Sequence, residues 1–307
     1  MRRREFIAGV GAAAVSVTGT SRLARASART GSGAMGEKFS MDFAPHFGMF
    51  SASAGDDPVA QLEFAAGEGF TAWEDNGMSG RSTEEQERIA QAMTRLNIRM
   101  GIFVMNPSTA WGATFSRGDA GDRQKFLDET KRAVDVAKRM NATWMTVVCG
   151  QREQRLELGY QTANAVEQLR AACEILEPHG LVMVLEPLNP HDHPNMLLAK
   201  MAHAYEVCRA VDSPSCKILC DLYHQQSTEG NLIRNIDRCW DEIGYFQIGD
   251  NPGRNEPTTG EVNYANVFKF IKGKGYAGVL GMEHGNSRGG KDGERAVIDA
   301  YRSCDPG

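Results

Sequence analysis

The amino-acid sequence predicts an α/β protein folded as a single (β/α)8 barrel, and three observations support this fold. Short apolar runs alternate with longer amphipathic segments, the alternation repeats eight times between residues 42 and 302, and no GxGxxG or phosphate-binding loop follows the first run. A strand followed by a helix, repeated eight times, is the pattern of this barrel. A doubly wound parallel sheet is the alternative fold, but the nucleotide-binding glycines typical of it are missing.

The predicted strands are short apolar runs that close on polar residues. In chain order, from "DFAPHFGMF" to "GVLGMEHGN", they cover residues 42–50, 71–77, 98–106, 143–151, 181–189, 217–225, 245–251 and 278–286.

The predicted helices lie between and after these runs. The segment around Asp122 shows why, since Phe126, Val134 and Ala137 are separated by charged residues, as in a helix with one buried face. The helical segments cover residues 58–68, 83–96, 121–140, 160–178, 197–211, 231–240, 264–272 and 293–302.

The composition is that of a soluble globular protein. Of the 307 residues, 41% are hydrophobic and 24% are charged, and this length suits one barrel domain. No run of about 18 apolar residues follows the N-terminal segment, so we expect no membrane span in the body of the chain.

The N-terminal segment "MRRREFIAGVGAAAVSVTG" predicts an export leader. Residues 3–7, RREFI, resemble the twin-arginine motif, and a small-residue cleavage site follows within residues 24–28. We therefore expect a twin-arginine signal peptide at residues 1–28, a linker at 29–40, a catalytic domain at 41–307 and a periplasmic location. A basic tail without export function is the alternative.

Charge limits the partners that we expect. The leader holds five arginines and one glutamate, so its removal moves the net charge from -5 to about -9. A protein that acidic has no general attraction for nucleic acid or for anionic membranes. We expect a small-molecule substrate, and a homo-oligomer is compatible with the sequence.

The seven cysteines are expected to be reduced core residues. They form no CxxC pair, and most lie inside apolar patterns. Cys216 and Cys220 lie four positions apart along one predicted strand, roughly 13 Å, which is too far for a disulfide bond between them.

Four consecutive predicted strands end in side chains that can ligate metals. They are Glu186 in "VMVLEPLN", Asp221 in "KILCDLYH", Gln247 in "YFQIGD" and Glu283 in "VLGMEHG". Active sites of such barrels form at the carboxyl ends of the strands, so these side chains should meet. Any one of them could instead be a strand-end residue bonded to the backbone, but four in succession favour a shared site.

Period-two alternation allows all four groups to point into the barrel. The inward face would then also carry Val182, Val184, Leu219, Tyr245 and Val279. The opposite faces are apolar and can lie under the helices; they carry Met183, Leu185, Ile218, Cys220, Phe246, Ile248, Leu280 and Met282.

Three carboxylates at one barrel mouth predict a bound cation. They repel one another and raise one another's proton affinity unless positive charge lies among them. Carboxylate and amide oxygens suit hard divalent ions, so Mg2+ or Mn2+ is the expected cofactor.

Three segments, "LEPLNPHDHP", "CDLYHQQSTEGNL" and "FQIGDNPGRNEPTTGEVNY", resemble the corresponding parts of hydroxypyruvate isomerases, which are xylose-isomerase-like TIM barrels. The resemblance runs from about Asp42 to Arg302 and is most specific between Glu186 and Tyr264. The glycine-rich continuation after His284 differs from the cytoplasmic members of that family, which leaves the substrate open.

The resemblance implies an aldose-ketose type isomerase, an intramolecular oxidoreductase. Glu186, Asp221, Gln247 and Glu283 would hold the metal, and the two glutamates would also transfer protons. Hydroxypyruvate would become tartronate semialdehyde through an enediolate, whose negative charge the metal stabilises.

Five further residues are candidates for substrate binding. His224 would contact a substrate oxygen or make a structural hydrogen bond. Arg254 would bind a substrate carboxylate or cap its loop, and Glu261 would order Arg254 or contact the substrate. Glu74 and His46 close earlier strands and are expected to line the pocket.

Three other functions stay open at this stage. A periplasmic keto-sugar epimerase or lyase could use the same metal site. A non-catalytic sugar-binding barrel is disfavoured because both proton-transfer glutamates are retained. A DNA-repair nuclease of the endonuclease IV type would need a histidine-rich metal cluster and a basic surface, whereas the seven histidines are scattered and the protein is acidic.

Overall fold

The structure, a computed structural model, describes residues 36–307. The predicted signal peptide, residues 1–28, and the first part of the predicted linker, residues 29–35, lie outside the described residues. Export by the twin-arginine route therefore stays a prediction. Within the described part of the chain, no helix combines the length and the apolar composition needed to cross a bilayer.

Eight parallel strands form the barrel that the alternation predicts. They are β1 (Asp42–Ala44), β2 (Ala72–Trp73), β3 (Arg99–Met100), β4 (Trp144–Val147), β5 (Val182–Leu185), β6 (Cys216–Asp221), β7 (Ile243–Gln247) and β8 (Val279–Gly281). Six pair in the order β1-β8-β7-β6-β5-β4, and β2 pairs with β3. Parallel bridges from His46 to Glu74 and from Val104 to Thr146 join the two sheets, so the strands close into a ring.

Helices follow the strands and surround them. They are α1 (Ser51–Ala54), α2 (Pro58–Gly67), α3 (Thr83–Leu96), α4 (Ala120–Met140), α5 (Leu158–Leu176), α6 (Met201–Val211), α7 (Leu222–Thr228), α8 (Leu232–Cys239), α9 (Tyr264–Gly273) and α10 (Gly290–Cys304). Eight of them coincide with predicted helices; α1 and α7 are additional.

Polar side chains fix the ends of the outer helices. Ser82 accepts the Glu85 N–H at the start of α3, and Asp119 accepts the Asp122 N–H at the start of α4. Such N-caps satisfy amide groups that have no partner within the helix. Local sequence signals of this kind explain why the boundaries of these two helices could be predicted closely.

All eight predicted strands run past the C-terminal ends of the strands in the structure, and the one at residues 217–225 shows a local reason. β6 ends at Asp221, and α7 begins at the next residue. The reason is local, because Asp221 Oδ1 accepts the backbone N–H groups of Tyr223 over 2.7 Å and of His224 over 3.1 Å. This side-chain cap turns the chain into a helix directly after the strand.

The two faces of the strands lie in separate apolar clusters, as the alternation predicts. The inner cluster fills the barrel and includes Ala44, Ala72, Ile102, Val184, Leu219, Tyr245 and Val279. The larger outer cluster, between strands and helices, includes Met183, Leu185, Ile218, Cys220, Phe246, Ile248, Leu280 and Met282. Polar groups that end the inward faces are thereby aimed at the mouth of the barrel.

All seven cysteines are buried and free, which confirms that they are core residues. Burial raises the pKa of the Cys220 and Cys149 thiols. Thiols of this kind are poor nucleophiles.

Candidate active site

Four polar side chains meet at the carboxyl-terminal mouth of the barrel. Glu186 follows β5 directly, Asp221 and Gln247 end the neighbouring strands β6 and β7 in register with each other, and Glu283 lies two residues beyond β8. Glu186, Asp221 and Gln247 are buried, and the Glu283 side chain is 25% exposed. The structure thus brings together the residues that the strand-end pattern selects.

Arg254 and His224 link the carboxylates of this group. Arg254 Nη2 donates to Glu283 Oε2 over 2.7 Å and to Asp221 Oδ2 over 3.3 Å. His224 Nε2 lies 3.7 Å from Glu186 Oε1 and 3.7 Å from Asp221 Oδ2. A single guanidinium therefore contacts two carboxylates, and the site keeps an excess of negative charge if Glu186, Asp221 and Glu283 are all ionised.

A buried carboxyl group orients the Gln247 amide. Gln247 Nε2 donates to Glu74 Oε1 over 3.4 Å, and Glu74 Oε2 accepts the Tyr245 hydroxyl over 3.1 Å. Gly281 leaves room for this carboxyl group, since a Cβ there would lie 1.8 Å from Glu74 Oε2. Gln247 Oε1 is then left buried and without a hydrogen-bond partner among the described residues.

Burial and mutual repulsion disturb the ionisation of the carboxyl groups. Burial raises the pKa of Glu186 well above its usual range, and the nearby Glu283 and Asp221 raise it further. Burial also raises the pKa of Glu283 to about 7, although Arg254 opposes the shift. Burial works against ionisation of Asp221 as well, but His224 and Arg254 outweigh it and hold the pKa of Asp221 below its ordinary value.

The donor set fits a hard divalent cation. Three carboxylates and one amide oxygen are ligands that Mg2+ and Mn2+ prefer. The Gln247 Oε1 atom supports this fit, because a buried acceptor without a partner costs about 1–3 kcal/mol, and a cation would supply the partner. Glu186, Asp221 and His224 also offer ligand atoms that lie within 4.8 Å of one another.

Both ring nitrogens of His224 lie beside N–H groups of other residues. His224 Nδ1 accepts the Asn189 backbone N–H over 3.3 Å and lies 2.7 Å from Asn189 Nδ2. Its Nε2 lies 3.3 Å from Arg254 Nη2, and burial lowers the pKa of His224. An unprotonated Nε2 can accept the Arg254 N–H or ligate a metal beside Glu186 and Asp221, whereas a protonated Nε2 can donate a hydrogen bond to a substrate oxygen.

A folded loop between β7 and α9 presents Arg254. Asp250 is buried, and its carboxylate accepts the N–H groups of Gly260 over 2.8 Å and of Val262 over 3.1 Å. Arg254 has φ 48°, a left-handed conformation that is uncommon for a residue other than glycine. Its guanidinium lies 4.9 Å from the centre of the Tyr223 ring. The loop thus holds this side chain over the carboxylates.

His46 lines a small cavity beside Glu283, with both ring nitrogens turned toward the backbone. Nδ1 lies 2.9 Å from the carbonyl oxygen of Phe47, and Nε2 lies 3.1 Å from that of His284. The predicted position at the pocket fits the structure, while a direct hydrogen bond to substrate would require one of these contacts to open.

Glu261 lies apart from the carboxylate group. It is exposed, and its Oε1 accepts the Gln226 Nε2–H over 3.0 Å. Within residues 36–307, Glu261 and Arg254 share no hydrogen bond, and the loop that holds Arg254 is closed by Asp250. A role for Glu261 in substrate binding stays a prediction.

Asn76 is a site residue that the sequence analysis missed. Its Nδ2 donates to Glu283 Oε1 over 2.7 Å. A signal was present, because Asn76 lies two positions after Glu74 and period-two alternation puts both on one face of the chain.

Replacing Gln247 by leucine is expected to weaken divalent-metal binding at least about 10-fold while the barrel stays folded. The change removes the unpartnered oxygen and keeps a side chain of similar size. Titration calorimetry with Mn2+ measures the affinity, and far-ultraviolet circular dichroism checks the fold. Gln91→Leu, on the exposed face of α3, is the matched control. Equal Mn2+ affinity in the Gln247 variant and the wild type would contradict a ligand role.

The chain matches a known protein family over most of its length. A profile of the family described as xylose isomerase-like TIM barrel matches residues 62–304. A hydroxypyruvate isomerase from Escherichia coli (strain K12) is 33% identical over 181 residues, which are 58% of this chain and 70% of that protein. A 2-oxo-tetronate isomerase from Pectobacterium atrosepticum is 30% identical over 179 residues, which are 58% of this chain and 67% of that protein.

Solved structures share the fold. An AP endonuclease, family 2, from Brucella melitensis has a TM-score of 0.72 and 25% identity, covering 85% of this chain and 99% of that one. A D-psicose 3-epimerase from Clostridium cellulolyticum H10 has a TM-score of 0.70 and 16% identity, with coverages of 86% and 98%. The IOLI protein, whose structure contains a zinc atom, has a TM-score of 0.67 and 16% identity, with coverages of 86% and 96%.

Proposed function

The chain belongs to the xylose isomerase-like TIM barrel family and is an isomerase, and from this we propose that it isomerises a small hydroxy-carbonyl compound with the help of a divalent metal ion. Hydroxypyruvate, giving tartronate semialdehyde, is the simplest substrate that fits. The observation that carries the proposal is that Glu186 and Glu283 lie at the same mouth of the barrel as the Gln247 side chain. The Oε1 atom of Gln247 has no hydrogen-bond partner among the described residues.

The metal would be held by Glu186, Asp221, Gln247 and Glu283. When bound, a divalent ion supplies a Lewis acid that polarises the substrate carbonyl and offsets the negative charge that develops on oxygen. The likeness to hydroxypyruvate and 2-oxo-tetronate isomerases supports the reaction class, and the orphaned amide oxygen supports the ligand set.

Glu186 and Glu283 would transfer the protons. One glutamate takes the proton from the carbon that bears the hydroxyl group, and the electron pair of that C–H bond forms the C=C bond of an enediolate. The other glutamate gives a proton to the former carbonyl carbon, and the hydroxyl proton passes to the former carbonyl oxygen. The carbonyl group moves by one carbon, and no electrons leave the substrate.

The surrounding side chains support this proton transfer. Burial raises the pKa of Glu283 in the chain without metal, which favours uptake of a proton by this carboxylate. Asn76 Nδ2 and Arg254 Nη2 each donate a hydrogen bond to a different oxygen of Glu283, and together they fix the orientation of its carboxylate. His224 Nε2 faces Glu186 and Asp221 and would contact a substrate oxygen. The Arg254 Nε–H has no hydrogen-bond partner among the described residues and would bind a substrate carboxylate.

A keto-sugar epimerase is the second candidate, because a cavity of about 180 Å3 beside Glu283 gives room for a longer carbon chain. The same two glutamates would then remove a proton from one carbon and return it to the opposite face of that carbon. Product analysis separates the two reactions, since the epimerase leaves the carbonyl group where it was.

The test is turnover of a substrate panel by the purified protein with added Mn2+ or Mg2+. The panel holds hydroxypyruvate, a four-carbon 2-keto acid and four- to six-carbon ketoses. Isomerisation of at least one hydroxy-keto compound is expected. Epimerised ketose as the sole product would replace the first candidate by the second, and no turnover of any member would refute both.

A further inference from the structure

The glycine-rich loop between β8 and α10, residues 282–289, packs against the loop that presents Arg254. Its end turns back onto the first turn of α10, where a glycine is needed, since a Cβ on Gly293 would lie 1.8 Å from the carbonyl oxygen of Arg288. At its start the loop carries Glu283, one of the two proposed proton-transfer groups. The loop is thus anchored to α10 at one end and to the barrel mouth at the other.

A buried carboxylate joins this loop to the loop of Arg254. Glu256 is 2% exposed. Its Oε2 accepts the backbone N–H of Ser287 over 2.9 Å, and its Oε1 accepts the Ser287 hydroxyl. A buried carboxylate needs such partners, and hydrogen bonds to an ionised group are stronger than those between neutral groups. These two bonds form what we call the Glu256–Ser287 clamp.

Backbone hydrogen bonds connect the clamp to Arg254. The Gly285 N–H donates to the carbonyl oxygen of Arg254 over 3.0 Å, and the Arg254 N–H donates to that of Asp250 over 2.7 Å. Arg254 has φ 48°, a strained conformation that persists only where the surrounding contacts hold it. The clamp lies two residues further along the chain, so it is one of the contacts that hold this backbone.

The Arg254 side chain follows from its backbone. Its stem packs closely on Gly249, where a Cβ would lie 3.1 Å from Arg254 Cγ. Its Nη2 donates to Glu283 Oε2 over 2.7 Å, and the side chain keeps 30% of its surface exposed. A long side chain has many rotamers, so the guanidinium stays beside Glu283 only while the backbone and the stem are fixed.

We propose that Glu256 and Ser287 are positioning residues for Arg254, and that through Arg254 they set the preference of the site for substrates with a carboxylate group. The inference rests on the proposed function, in which Arg254 binds a substrate carboxylate. Loss of the clamp frees the Arg254 backbone to leave its left-handed conformation, and the guanidinium then shifts away from Glu283. This gives a role to the glycine-rich continuation after His284.

The test compares two substrates that differ at one end, with the full chain and Mn2+. Hydroxypyruvate carries a carboxylate where dihydroxyacetone carries a hydroxymethyl group, and both can be isomerised by moving the carbonyl group by one carbon. The carboxylate preference is the ratio of their kcat/KM values. In Glu256→Leu we expect this preference to fall at least about 10-fold, toward that of Arg254→Leu, because small displacements of a positioning group have large effects.

Two further variants separate positioning from a general loss of structure. Glu256→Gln can accept the Ser287 N–H and donate to its hydroxyl oxygen, so its carboxylate preference should stay within about 2-fold of the wild type. Ser287→Ala, at an exposed position, loses one of the two bonds and should lower the preference at least about 3-fold. Ser303→Ala, on the exposed surface of α10, is the matched control.

A merely structural role of the clamp predicts a different result. Both Glu256→Leu and Ser287→Ala would then lower kcat/KM for the two compounds by equal factors, and an unchanged carboxylate preference would overturn the proposal. Far-ultraviolet circular dichroism checks the fold, and if Glu256→Leu does not fold, Ser287→Ala alone decides. A compound that is not turned over is measured as a competitive inhibitor of the other.

Failure of the clamp and failure of the proposed function are distinguishable. Turnover of hydroxypyruvate with the same carboxylate preference in the clamp variants and the wild type overturns the clamp and leaves the isomerase intact. An unchanged preference in Arg254→Leu overturns the carboxylate role of Arg254 and, with it, the proposal. If neither compound is turned over, hydrogen exchange of the Arg254 and Gly285 amides decides: exchange at least about 10-fold faster in Ser287→Ala supports the clamp, and equal exchange overturns it.

Discussion

Replacing Glu186 by glutamine is expected to lower kcat by a factor of about 10^2–10^4, the usual contribution of a general acid-base group. The amide cannot take the proton from the substrate carbon, although it keeps the size of the side chain. Glu283→Gln should have an effect of the same order. The double variant should be little worse than either single variant, because groups that act in one proton-transfer sequence are not additive.

The measurement is initial rate at saturating Mn2+ with the best substrate of the panel, together with Mn2+ affinity by calorimetry. The affinity separates loss of a ligand from loss of the base, because saturating metal restores occupancy and leaves the proton transfer impaired. Glu174→Gln, on the exposed surface of α5, is the matched control and should behave like the wild type. A kcat for Glu186→Gln within about 3-fold of the wild type would refute its proton-transfer role.

Removal of divalent metal is expected to abolish turnover and to lower the thermal stability of the protein. Asp221 and Glu283 share one guanidinium, that of Arg254, and burial and repulsion by these two groups raise the pKa of Glu186, so a bound ion would relieve the repulsion among the three groups. A metal at 100 times its dissociation constant should add about 2.7 kcal/mol to the free energy of unfolding. The expected result is a melting temperature that rises by several degrees when Mn2+ is added to chelated protein.

The metal experiment needs a specific and a non-specific control. Sodium chloride at matched ionic strength tests for general screening, which should leave the melting temperature nearly unchanged. Gln247→Leu should show a smaller Mn2+-induced rise than the wild type at the same Mn2+ concentration, since the variant has lost one ligand. Full turnover by protein that elemental analysis shows to be free of metal would rule out the metal-dependent mechanism.

The local pattern of the sequence was sufficient for the architecture of the site. Strand-helix alternation predicts the barrel, and period two predicts that Val184, Leu219 and Tyr245 fill its interior, as they do. Because parallel strands of a barrel end at one mouth, the residues that close four consecutive strands had to converge there. Glu186, Asp221, Gln247 and Glu283 were found by this rule alone.

The resemblance to hydroxypyruvate isomerases added the reaction class, and the comparisons support it. It did not give the hydrogen-bond partners of the site. Glu261 is predicted to order Arg254 or to contact the substrate; within residues 36–307 it shares no hydrogen bond with Arg254, and Asp250 closes that loop. Sequence proximity within one loop does not determine which side chain turns inward. Buried backbone N–H groups of a loop need acceptors, so the side chain that turns inward is the one whose carboxylate can accept from them.

The sequence by itself determined the fold, the four residues at the strand ends and their common direction. The reason is that the two-residue period of a strand can be read from its hydrophobic pattern, and the barrel topology from the order of strands and helices along the chain. Only the tertiary structure decided how those residues are oriented. Gln247 is aligned by Glu74, which is 173 positions away, and Glu283 is held by Asn76, which is 207 positions away. Such contacts depend on which strand ends become neighbours across the barrel mouth. In the folded barrel they leave Gln247 Oε1 and Asn76 Oδ1 buried and without a hydrogen-bond partner among the described residues.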